Sequence, residues 1–112
     1  MTEEERQFLL TSAWLFMRHG RRDRARGVCE ALCEANPRDG VSASALAELL
    51  LEEGEAVRAI EVLRSADFAP GLMHAQAVLE TRALRMAGRA SEAQSRWRRY
   101  LESRKGSGRK WI

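Results

Sequence analysis

Cysteine, histidine, proline and β-branched residues are all scarce in this sequence, and each scarcity excludes something. Two cysteines, Cys29 and Cys33, are too few for a disulfide framework, which agrees with a reducing compartment. The two histidines, His19 and His74, form no zinc-ligand spacing with them. Valine, isoleucine and threonine are outnumbered by alanine, leucine, glutamate and arginine. Those residues lose little on entering a helix, so the bias points to helices throughout. No run of about 18 apolar residues exists, so no transmembrane helix is expected. The start, Met1-Thr2-Glu3-Glu4-Glu5, is acidic, whereas a secretory leader opens on basic residues followed by an apolar stretch. A cytoplasmic location is therefore expected.

What is present fits one small domain. A chain of 112 residues with 45% hydrophobic content buries only about two-thirds of its unfolded surface, which leaves a thin core. Arginine supplies 17 of the 19 basic residues. Eight basic and two acidic residues fall from Arg89 onward, so the formal charge of +3 is a C-terminal feature.

The most informative pattern is a repeat. Gly20, Gly54 and Gly88 are spaced by 34 residues, and Ala25, Ala59 and Ala93 keep the same interval. So do Ala13, Ala47 and Thr81, then Phe16, Leu50 and Leu84, and Cys29, Leu63 and Trp97. Thirty-four residues is the tetratricopeptide period. The glycine falls where the chain must turn between two helices. The alanine is small where the helices approach. Pro37 and Pro70-Gly71 close the first two repeats, because proline cannot continue a helix.

The predicted architecture is all-α. Six helices are expected, over about Glu3–His19, Arg22–Ala35, Val41–Glu53, Ala56–Ser65, Leu72–Ala87 and Ala90–Arg104. They form three tetratricopeptide-like hairpins (about 3–37, 40–70 and 72–104) in a short right-handed solenoid with a concave groove. Thr2 and Glu5 have capping-box spacing at the start of the first helix. The domain spans residues 1–105. Gly106-Ser107-Gly108 then opens a flexible basic tail, 106–112.

In such a stack the first helix of each pair lines the inner face. That places Gln7, Leu10, Trp14 and Met17 on the groove in the first repeat. Val41, Ser44, Glu48 and Leu51 follow in the second, and Ala75, Val78, Arg82 and Arg85 in the third. The first helix is the unusual one, because Phe8, Leu9, Leu10, Ala13, Trp14, Leu15, Phe16 and Met17 surround it with apolar surface. One helix pair covers only one side of it. Either the extra surface packs on the C-terminal part or a second copy, or Leu10, Trp14 and Met17 line a groove for an apolar segment of a partner.

Other signals are thinner. Cys29 and Cys33 share a helix face, and Cys29 holds the repeat's packing position, so buried structural thiols are favoured over a metal site. No nucleophile–base pair and no phosphate-cradling loop is present, so no enzyme activity, cofactor or metal is expected. The basic stretch from Arg96 to Lys110 suggests nucleic acid, but Trp97 and Tyr100 lie in packing positions and a basic cluster alone is a weak footprint. Trp111 has no assigned role.

With the repeats in place, a resemblance can be stated. Gln7-Phe8-Leu9-Leu10, Trp14-Leu15, Gly20, Ala25, Leu32 and Asn36-Pro37 resemble the opening of the YscY/SctY-type chaperones of bacterial type III secretion systems. The segment Gly88 to Ala93 and Tyr100-Leu101-Glu102 are similar to that family's last repeat. The resemblance spans about residues 7–104. It implies a small cytoplasmic protein, neither enzyme nor metal carrier, that binds and stabilises a secreted partner, the X subunit. The pair would then engage the cytoplasmic domain of the export-gate protein. The alternatives are a translocator-class type III chaperone and a generic tetratricopeptide adaptor. Without the partner, the same apolar face could also join two copies of the chain.

Overall fold

Helix-favouring residues dominate the chain, and the backbone is helical wherever they cluster. The structure, a computed structural model, describes residues 1–108, with side chains through Lys105. Among the described residues there are six α-helices and no strand. They are α1 (Glu3–Arg18), α2 (Arg22–Ala35), α3 (Gly40–Glu52), α4 (Ala56–Ser65), α5 (Met73–Met86) and α6 (Ala90–Gly108). A 3-10 turn over Pro70–Leu72 leads into α5, and one isolated bridge joins Asp39 to Asp67.

The limits of α2 and α4 are those expected, and α1, α3 and α5 differ by single residues at their ends. The sixth helix requires a correction. It runs through Gly106-Ser107-Gly108, where the sequence suggests the start of a tail. A glycine costs a helix about 1 kcal/mol against alanine. Elongating a formed helix adds one backbone hydrogen bond per residue, so a helix of 19 residues tolerates two glycines at its end. The rest of the expected tail, residues 109–112 with Trp111, lies outside the described residues.

Local signals act as their chemistry requires. Thr2 caps α1 by accepting from the Glu5 N–H at 3.1 Å, and the Glu5 carboxylate accepts from the Thr2 N–H in return. Gly20, Gly54 and Gly88 all adopt positive φ, at 72°, 80° and 79°. In each turn the next residue's N–H donates back to Phe16, Leu50 or Leu84 at 2.8 Å, which satisfies a carbonyl left orphaned at the helix end. The three turns are therefore copies of one motif.

Helices pack in chain order. α1 lies on α2, α3 on α4 and α5 on α6, while α2–α3, α4–α5 and α3–α5 contacts join one pair to the next. Ala25, Ala59 and Ala93 are all buried at the close approach within each pair. The middle pair holds most of the core: Leu46, Leu49, Leu50 and Leu51 of α3 and Ile60 and Leu63 of α4 are buried. Ion pairs reinforce the junctions, with Arg6 on Asp39 at 2.8 Å, Arg58 on Glu30 at 2.7 Å and Arg26 reaching both Glu53 and Glu55.

Candidate functional site

α1 packs extensively on one helix, α2, and reaches the next pair through the Arg6–Asp39 ion pair, and its residues show the result. Ala13 is buried, and Phe16 and Met17 pack against the core. Three other apolar side chains lack cover: Phe8 is 70% exposed, Trp14 54% and Leu15 44%. The Arg18 guanidinium lies 4.8 Å from the centre of the Trp14 ring, a cation–π contact that steadies the indole at the surface. Gln7 beside them is exposed and donates to Glu3 at 3.0 Å, and Leu10 is half-buried.

The remaining expected groove residues divide. Val41 and Glu48 are exposed, while Ser44 is half-buried and donates to the Gly40 carbonyl at 2.8 Å. Leu51 does not line a surface. It is 3% exposed, inside the core, because α5 packs across α3. In the third repeat Ala75 and Val78 are half-buried, and Arg82 and Arg85 are exposed. Arg82 reaches Glu48 at 3.9 Å, which links the inner positions of the second and third repeats.

Three of these residues meet in a cleft between the last two helices. Val78, Arg82 and Arg85 of α5 form one wall of a cleft of about 470 Å³, and Gln94, Trp97, Arg98 and Leu101 of α6 form the other. Trp97 is held there by Tyr100, with ring centroids 5.3 Å apart, and Tyr100 shares a hydrogen bond with His74 Nδ1 at 3.0 Å. Thr81 also lines the cleft, and its hydroxyl is buried with no hydrogen-bond partner among the described residues. Sequence reasoning missed the α6 half of this cleft. Trp97 falls in register with Cys29 and Leu63, both fully buried, and so reads as core. It is half-buried instead, because no described helix follows α6.

Titratable groups elsewhere serve structure. Burial pushes the Cys29 and Cys33 thiols up to about 11, which keeps both neutral and poorly nucleophilic at neutral pH. The Arg6 guanidinium, hydrogen-bonded to Asp39, holds that carboxyl below its usual range. Among the described residues no group of three His, Cys, Asp or Glu side chains is arranged to hold a metal. Two surface features result, the exposed apolar side of α1 and the basic-rimmed cleft between α5 and α6. In comparison with known proteins, the chain matches no family model and no curated protein.

Proposed function

We propose that this chain is a short right-handed solenoid of three tetratricopeptide-like hairpins that holds another polypeptide, and that it acts as a YscY/SctY-type secretion chaperone. The 34-residue recurrence of one turn motif supports the solenoid, as do the in-order helix contacts and extents of 43 × 33 × 23 Å. A single observation carries the binding role. Trp14 stands 54% exposed next to half-buried Leu10 on a helix covered from one side. Burying a side chain of this size is worth about 1.5–3 kcal/mol, and tryptophan is a preferred interface anchor. A partner segment laid along Gln7, Leu10 and Trp14 would gain that energy, and its burial would stabilise the chaperone by mass action. The secretion role rests on the sequence resemblance alone.

The test uses a secreted X-type subunit as the probe. Trp14→Ala should weaken its binding by about 2 kcal/mol, roughly 30-fold, with helicity by circular dichroism unchanged. Leu10→Glu should abolish binding. Unchanged affinity in both variants rejects the α1 surface. If the unaltered chain fails to bind any X-type subunit, the secretion reading falls, and a generic adaptor becomes the better description.

A further inference from the structure

The repeat shows what normally covers the cleft between α5 and α6. Moving the middle of its lining back by 34 residues gives Leu51, Ile60 and Leu63 for Arg85, Gln94 and Trp97, while Glu48, Arg64 and Asp67, the counterparts of Arg82, Arg98 and Leu101, stay exposed at the margin. Leu51, Ile60 and Leu63 are at most 3% exposed, beneath α5 of the following pair. One repeat earlier Cys29 is fully buried, and α3 packs on its helix. Each of the first two pairs is thus roofed by the first helix of the next. The third pair has the same shape and no described roof. Its floor stays apolar, with Val78, Trp97 and Leu101, and its rim carries Arg82, Arg85 and Arg98.

We infer that this cleft docks one amphipathic helix of a partner polypeptide, with an apolar stripe on the floor and carboxylates along its flanks. The charges argue for that chemistry. At the preceding junction Arg64, in register with Arg98, approaches Glu92 at 3.9 Å. One junction earlier Glu30, in the same position, pairs with Arg58 at 2.7 Å. The position is charged at both earlier levels, and there it meets the opposite sign on the second helix of the next pair, α4 or α6, beside the roofing helix. Carboxylates along the flank of the docked helix would complement Arg82, Arg85 and Arg98 on the rim. A second copy of this chain is the poorer roof, because its Arg24 is in register with Glu92 and Arg58 and would meet Arg98 with like charge. A nucleic acid would satisfy the arginines but not the Val78–Leu101 floor. The inference adds a partner chemistry to the protein-binding reading and needs neither the secretion role nor the α1 surface.

The probe is a synthetic helical peptide with a leucine stripe at i, i+3, i+4 and i+7 and glutamates on both flanks. A twin carries lysines in their place. The unaltered chain should bind the glutamate peptide at least about tenfold more tightly than the twin, and less tightly as salt rises. Leu101→Glu, at a 40% exposed position, should abolish that binding without unfolding the chain. Arg82→Glu with Arg98→Glu should reverse the preference between the peptides. Trp14→Ala should leave peptide binding unchanged, so failure here and failure of the α1 surface are told apart. Equal or absent binding of both peptides overturns the inference. So does an unchanged preference in the reversed variant, displacement by a single-stranded oligonucleotide, or mass growth with concentration that Leu101→Glu prevents.

Discussion

Thr81 shows how the repeat converts one residue into a measurable quantity. Its counterparts are Ala13 and Ala47, both buried. A buried hydroxyl without a partner costs about 1–3 kcal/mol, and threonine is a poorer helix former than alanine by up to about 0.7 kcal/mol. Against this stands one methyl group, worth about 0.8 kcal/mol of burial. The balance favours alanine. Thr81→Ala should raise unfolding stability by about 1 kcal/mol in urea denaturation. A loss of that size would show that the hydroxyl has a partner the described residues do not include, or that the methyl packs better than its surroundings suggest.

At the scale of the element, α3 begins at a close backbone approach. Its first residue, Gly40, is buried, and a Cβ built there would lie 2.7 Å from the Asp67 carbonyl oxygen and 3.1 Å from the Phe68 ring. Backbone cannot yield as a side-chain tip can. Gly40→Ala should therefore cost about 1–3 kcal/mol, the range of overpacking in a filled core, although alanine is otherwise the better helix residue. A neutral outcome in thermal melts would mean that the segment joining α4 to α5 moves freely. The same helix explains what was legible beforehand. Turn glycines and close-approach alanines set the pairs, so α2 and α4 end where periodicity puts them. Periodicity also exposes the apolar excess of α1, since Phe8, Trp14 and Leu15 fit no single stripe. It misjudges Leu51 and Trp97 for one reason: a repeat pattern treats every pair as equivalent, whereas burial depends on having a successor. Leu51 has α5 over it, and Trp97 has no described helix in that place.

Across the whole molecule, carboxylates and thiols limit stability at opposite ends of the pH scale. Asp39 joins the first pair to the second. Arg6 Nε donates to it at 2.8 Å, the Ser42 hydroxyl at 2.6 Å, and it caps α3 through the Val41 N–H at 3.2 Å. Its carboxyl is held below the usual range chiefly by the Arg6 hydrogen bond, and Glu30 is held low chiefly by Arg58. A carboxyl depressed in the folded state contributes stability that is full above its unfolded pKa and disappears as pH falls through the folded one. Stability should therefore decline below about pH 4–5, where unfolded aspartate and glutamate begin to take up protons. The thiols work in the other direction. Cys29 and Cys33 are raised from 9.0 to about 11 by burial, so only the unfolded chain ionises them between those values, and stability falls again above about pH 9. Two variants separate the limbs. Asp39→Asn keeps the cap, since asparagine caps as well as aspartate, but removes the titrating charge. It should lower stability at neutral pH by about 1–2 kcal/mol, the worth of a charge-assisted hydrogen bond, and flatten the acid decline. Cys29→Ala with Cys33→Ala should leave the acid limb intact and flatten the alkaline one. Urea unfolding midpoints measured from pH 3 to pH 10 read both. An acid limb unchanged in Asp39→Asn would move the dominant titration away from the Arg6–Asp39 junction and onto Glu30, Glu55 and Glu92, which Arg58, Arg26 and Arg89 hold low.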